Sequence, residues 1–191
     1  MEVLTTEEGV LAISCARNAI ASVVKDIPAP ELELPLIFRA KRGVFVTLTK
    51  GDCLRGCIGF PYPVLPLGEA IRSAAVSAAL EDPRFPPVSK KELHSLNLDV
   101  TILTAPVPIA GHADDRGGEV TVGVHGLVVR GLGRSGLLLP QVATECGWDA
   151  LTFLDQTCVK AGLPPTAWKR PDVEVLTFEG QVFHGTMTGT V

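Results

Sequence analysis

The chain has 191 residues, 46% of them apolar and 20% charged, with a formal net charge of -4. That is enough for one substantial domain or two small lobes, and too apolar for a disordered chain. The acidic balance argues against a dedicated nucleic-acid binder. No uninterrupted apolar run approaches the length that spans a bilayer.

The opening stretch "MEVLTTEEGV" has no basic segment and turns acidic where a signal peptide would turn apolar, so a cytoplasmic protein without membrane contact is expected. Thr5 and Glu8 have the spacing of a capping box, and Leu11, Cys15, Ala19 and Val23 recur at near-helical intervals, predicting a helix over 6–24. "DIPAPELELP" ends it, because its prolines remove donors and disfavour helical geometry. "GVFVTLT", the turn "KGD" and "CLRGCIGF" form a hairpin. The alanine-rich "EAIRSAAVSAALED" predicts a helix that lets other elements approach closely, and "DPRFPPVS" stops it. In "LNLDVTILT", Leu96, Leu98, Val100 and Ile102 share one face of a strand.

The second half opens on the glycine-rich loop "AGHADDRGG". "EVTVGVHGLVVRG" and "GLLLP" then make a hairpin joined by "GLGRSG", a turn that lacks the lysine and the helix of a phosphate loop. "WDALTFLDQTCVKAG" predicts an amphipathic helix with Leu151, Leu154 and Cys158 on one side, and "DVEVLTFEGQVF" a last strand. Residues 184–191 read as a loose tail. Hairpins 43–60 and 123–140 align without a gap, sharing glycines at 43/123, 51/131 and 56/136, as a weak internal duplication or chance among hairpins would produce. Mixed helices and antiparallel hairpins, with no regular βαβ alternation, make the fold class α+β.

The chemistry concentrates in "DCLRGCIGF". On a regular strand Leu54, Ile58 and Phe60 form the core face around Gly56, while Cys53, Arg55, Cys57 and the bare Gly59 share the other. A neighbouring cation favours thiolate over thiol, which makes Cys57 the candidate nucleophile and Arg55 a candidate anion-holding residue. The plain alternative is a strand cysteine that fills space. Cys53 and Cys57 are separated by roughly 13 Å along a strand, too far for a disulfide, and the five cysteines suit a reducing compartment. Cys15, Cys146 and Cys158 read as structural.

"LRGCIG", "EDPRFPPVS", "GVHGLVV", "LLLPQVA" and "GWDALTFLDQTCVKAGLPPTAW" together resemble the AMMECR domain family over residues 6–183. The resemblance implies a single domain made of two α/β lobes with antiparallel sheets and a cleft between lobes. It brings no settled reaction. Prokaryotic members often accompany a Memo-like protein and a radical SAM protein, as protein A of the AmmeMemoRadiSam system, which implies such partners here. The hallmark hexapeptide falls on Leu54, Arg55, Gly56, Cys57, Ile58 and Gly59, and the "DPRF" element on Asp82, Pro83, Arg84 and Phe85. Where relatives tend to carry an acidic residue after the final strand, this chain has His184.

Asp82 and Arg84, on a proline-stiffened loop, are candidate binding residues or an ion pair that holds the turn. His125 is a candidate base or a satisfied strand histidine. Scattered histidines and an unsuitable cysteine spacing give no reason to expect a metal, even where "GHADD" gathers a histidine and two carboxylates, and no cofactor is expected. Two functions follow. One is a cysteine-dependent enzyme acting on an anionic small molecule or modified peptide, with Arg55, Gly56, Gly59, Asp82 and Arg84 at the substrate. The other is a binding module that hands a small-molecule or peptide ligand to an enzymatic partner.

Overall fold

A computed structural model describes residues 3–109 and 113–189. Gly111 and His112 lie outside the described residues, and so therefore does the "GHADD" grouping. The chain divides into two compact units, Met1–Leu103 with Gln181–Val191, and Thr104–Gly180.

The first unit begins with α1, Thr6–Lys25. The capping box forms as the sequence predicts: the Glu8 amide donates to Thr5 Oγ1 at 3.2 Å and the Thr5 amide to Glu8 Oε2 at 2.8 Å. Its buried face is Ala12, Ile13, Cys15, Ala16, Ala19, Ile20 and Val24, whereas Val23 is exposed. A strict four-residue repeat drifts about 120° around a helix in three steps, so a stripe running from Leu11 to Val23 leaves the core.

The hairpin comprises β1, Val44–Lys50, and β2, Cys53–Phe60, and β3, Leu96–Leu103, pairs antiparallel on the far side of β1. Val44, Val46 and Leu48 of β1 are fully buried, as are Leu98 and Val100 of β3. They pack into one core with α1 and with α2, Leu67–Leu80. Small side chains set the helix–sheet distance: Ala74, Ala75, Ala78 and Ala79 of α2 are buried, and a Cβ on Gly56 would stand 2.1 Å from the Ala78 carbonyl oxygen. The chain's last strand, β7, is Val173–Thr186 and supplies residues to both units. It runs past the expected tail: residues 184–186 are strand, and the Met187 amide donates to the Leu96 carbonyl at 3.0 Å.

The second unit pairs β5, His125–Gly131, with β6, Arg134–Leu138, and with residues 173–179 of β7, while the short β4, Val107–Pro108, also pairs β7. Two helices follow, α3 at Pro140–Glu145 and α4 at Ala150–Lys160. Phe153, Leu154 and Cys158 of α4 are buried with Trp168, Val173 and Val175. Leu151 is 52% exposed, so the expected stripe is corrected: Phe153, beside Leu154, takes the core position. Residues 113–119 coil into a 3-10 helix, so β5 begins later than the pattern of "EVTVGVHG" suggests. Gly136 repeats the device of Gly56, since a Cβ there would meet the Ala161 backbone nitrogen at 2.3 Å. The observed architecture is the α+β class that the element order predicts.

Gly56→Ala is expected to destabilise the protein by about 2 kcal/mol, within the usual range for overpacking, because the obstacle is helix backbone. Gly118→Ala, with nothing within 4 Å of its Cβ position, serves as the neutral reference. Urea denaturation midpoints of the two variants check this.

Candidate functional site

Strand parity breaks inside the hexapeptide. Gly56 pairs with Leu48, but Leu54 pairs with Thr49, so Arg55 is the extra residue of a β-bulge. The bulge moves Leu54 off the core face. It is 41% exposed and shares the open face with Thr49, Thr47 and Cys57, while Ile58 and Phe60 remain against the core. The expected apolar face of Leu54, Ile58 and Phe60 is therefore corrected at its first residue. Gly59 offers no bare patch either, because the Phe45 ring lies where its Cβ would be, at 2.6 Å.

β2 is an edge strand, and an edge leaves backbone donors and acceptors without a neighbouring strand. At Cys57 two side chains complete the pairing. The Cys57 amide donates to Asp82 Oδ2 at 2.8 Å, and Arg84 Nη2 donates to the Cys57 carbonyl at 3.3 Å. Asp82 and Arg84 also join each other, through Nη2 at 2.7 Å and Nε at 2.9 Å, and the Arg84 amide donates to Asp82 Oδ1 at 3.1 Å. Asp82 is buried, whereas the Arg84 side chain is 53% exposed. The Arg84 guanidinium holds the Asp82 carboxyl well below the usual range; burial opposes this, and the Cys57 and Arg84 amides assist.

Arg55, by contrast, is enclosed. Its guanidinium donates to both Glu92 oxygens, at 3.0 and 3.3 Å, and to the Pro86 carbonyl at 2.8 Å. Arg55, then the Ser89 amide, lowers the pKa of Glu92. The Phe85 ring receives both cations, with Arg84 5.5 Å and Arg55 5.9 Å from its centroid. The hexapeptide and the DPRF loop are thus one interlocked unit.

Because the Cys57 backbone groups point outward to the edge, Cys57 and Thr47 face each other as a non-hydrogen-bonded pair, the arrangement that brings side chains closest. The Thr47 hydroxyl donates to Cys57 Sγ at 3.2 Å. On the other side of Thr47, β3 places Asp99 directly opposite, and Asp99 Oδ1 lies 2.9 Å from His184 Nδ1. A polar row therefore crosses the open face: Cys57, Thr47, Asp99, His184. Two strand spacings, about 10 Å, separate Cys57 from Asp99. Beside the row is an open depression of about 650 Å3 lined by residues including Thr49, Asp52, Asn97, Asp99 and His184.

Sequence reasoning named Cys57, Asp82 and Arg84, which the structure brings together, and missed Thr47, Glu92 and Asp99. His125 belongs to the other unit, where its Nδ1 accepts from the Thr121 amide at 3.0 Å. Cys15 and Cys158 are buried, and burial pushes both thiols up; Cys146 is exposed, contrary to a packing role.

The AMMECR1 family model matches residues 13–183, nearly the whole chain. The chain belongs to the AMMECR1 family. A protein of Methanothermobacter thermautotrophicus is 50% identical over 186 residues, covering 95% of this chain and 96% of its own. One from Thermococcus gammatolerans is 48% identical, covering 93% and 90%. The crystal structure of the uncharacterized protein PH0010 from Pyrococcus horikoshii superposes with a TM-score of 0.82 at 42% identity, over 95% of this chain and 93% of that one. Likeness at this level extends to the fold of both units of this AMMECR1 domain.

Asp82→Asn is expected to cost about 2 kcal/mol at pH 7, the scale of a charge-assisted hydrogen bond. A carboxyl lowered in the folded state stabilises fully above its unfolded pKa of about 4 and loses that contribution as pH falls through the folded value. The gap between wild type and variant should therefore narrow as the pH drops below about 4. Urea titrations at pH 7 and at successive acidic values measure it.

Proposed function

We propose that this AMMECR1 protein is a thiol-dependent enzyme in which Cys57 is the nucleophile. The observation that carries this reading is the Thr47 hydroxyl donating to Cys57 Sγ on an open sheet face. A donor aimed at sulfur stabilises negative charge on it, and the exposed Arg84 guanidinium adds a cation beside the Cys57 backbone. Asp82 fixes the Cys57 main chain, so the thiol is held on a rigid strand rather than on a loop.

Of the two substrate classes expected from sequence, the peptide-like one has the better support. Arg55 already serves Glu92, and the depression beside the row carries Asp52 and Asp99, which repel an anion and suit an amine or amide. His184 is too far along the row to deprotonate Cys57 directly. Asp99 Oδ1, 2.9 Å from His184 Nδ1, fixes the imidazole at the rim of the depression, where it can contact a bound substrate. A substrate laid across the row would receive Sγ on an electrophilic carbon; the bond from that carbon to its leaving group breaks, and the proton lost by the thiol passes through solvent on the open face to the departing group.

A non-catalytic module that presents a peptide to a Memo-like or radical SAM partner is the second reading. It is favoured by Leu54, an exposed apolar side chain on the same face as Cys57, and by the closed Asp82–Arg84 network, which needs no chemistry to explain it.

Iodoacetamide labelling of the native protein, followed cysteine by cysteine, tests the nucleophile. Thr47→Val is expected to slow Cys57 about tenfold, the worth of a charge-assisted hydrogen bond, while leaving the exposed Cys53 and Cys146 unchanged. A Cys57 that stays inert, or reacts equally fast without Thr47, sinks the proposal. Turnover of a peptide pool that Cys57→Ser abolishes supports the enzyme, and peptide binding that survives Cys57→Ser without turnover supports the module.

A further inference from the structure

The second unit carries a feature that the Cys57 reading does not use. An open depression of about 660 Å3 is lined by Arg116, Arg130 and Arg134, by Asp172 and Glu174, and by Gly133 at the β5–β6 turn, among other residues. Five charged side chains meet there, and their partners differ in kind. Arg130 is neutralised by Glu174 at 2.6 Å, and Asp172 by Arg170 at 2.7 Å. Arg116 donates instead to the backbone carbonyls of Trp168 and Val173, and Arg134 to that of Gly162. Among the described residues no carboxylate pairs with either.

Two guanidiniums thus keep their full charge beside one depression, on a chain whose net charge is -4. A carbonyl dipole orients a guanidinium but does not neutralise it. Arg116 is moreover half-buried, and among the described residues its Nε, shielded from solvent, meets no hydrogen-bond partner. A cation in that state is costly unless an anion completes it. The turn supplies access. Leu132 and Gly133 both have positive φ, 54° and 73°, as a type I′ turn requires, and nothing lies within 4 Å of where a Gly133 Cβ would be. A ligand can therefore approach the backbone between Arg130 and Arg134.

We propose that this depression binds the phosphate group of a small molecule, with Arg116 and Arg134 as the charge-bearing residues. Guanidinium forks match phosphate oxygens two at a time, and two uncompensated cations match a dianion. The site is independent of Cys57 and stands or falls separately from it.

Titration of the intact protein with inorganic pyrophosphate at low ionic strength, followed by calorimetry and by amide NMR, decides the matter. Saturable binding is expected, with shifts centred on Gly131 and Gly133. Arg134→Gln, which retains a donor for the Gly162 carbonyl, should weaken it about tenfold, the worth of a charge-assisted hydrogen bond. Arg39→Gln, on the first unit, should not. Equal ionic strength supplied as sodium chloride should give no saturable shifts at the two glycines. Absence of saturable binding, shifts centred elsewhere, or equal binding by wild type and Arg134→Gln would overturn the proposal.

Discussion

The buried carboxylate of Asp82 is the constraint around which the first unit is organised. It lies two residues beyond the end of α2 and faces the outer edge of β2, so it must be satisfied by what those two elements present. Arg84 and the Cys57 amide supply that satisfaction. One consequence is electrostatic: the carboxyl stays ionised although it is out of water. Another is geometric. A strand edge that would otherwise invite a second chain is closed at its centre by two side chains, without adding a strand. The position of α2 is fixed close by, since the bare Gly56 lets the Ala78 backbone approach β2 nearer than any side chain would allow.

The two arginines of the interlock share chemistry but not circumstances. Arg55 occupies the bulge, and its side chain is 12% exposed, with Glu92 across from it and the Pro86 carbonyl closing the geometry. Arg84 gives one side of its fork to Asp82 and leaves half its surface to solvent. Both guanidiniums meet a carboxylate bidentately; the enclosed one holds structure, whereas the one that remains half in water can still meet a ligand. Phe85, between them, sets their spacing through contact with both cations. The family's most distinctive residues are thus explained first by folding, and only Cys57, with Thr47 beside it, is left without a structural need.

Much of this was legible in the sequence, and the failures have particular causes. The capping box of α1, the alternation of Leu96, Leu98, Val100 and Ile102, and the grouping of Cys57 with Asp82 and Arg84 depend on local spacing or on a shared motif. Parity along β2 failed because a bulge adds one residue at Arg55. A signal for it existed: a two-residue turn at Gly51–Asp52 in perfect register would set Arg55 opposite Leu48, an arginine beside an apolar core position of β1. That mismatch disappears only if one residue is looped out. Glu92 and Asp99 could not be found this way, since each meets its partner across dozens of residues, Arg55 in one case and His184 in the other. His184, noted only as a departure from the family pattern, gains meaning from Asp99.

The two units solve the same packing problem with the same residue and then diverge in charge. Each has a hairpin whose second strand carries a glycine where a helix backbone presses close, Gly56 against Ala78 and Gly136 against Ala161. Those glycines occupy equivalent positions in the ungapped alignment of the hairpins. In the first unit the arginine beside the glycine, Arg55, is matched by Glu92. In the second, Ser135 stands in the place of Arg55, and Arg134, one position earlier, finds a neutral carbonyl. Packing and ion pairing therefore account for the glycines in both units and for Arg55, but not for the charge of Arg134. Where a cation is positioned by the fold but not neutralised by it, the residual charge is available to something outside the chain. By that reasoning Arg55 is taken up by its own fold, which leaves the thiol as the group on which the proposed chemistry of the hexapeptide depends. Arg134 is the group on which the proposed anion contact of the second hairpin depends.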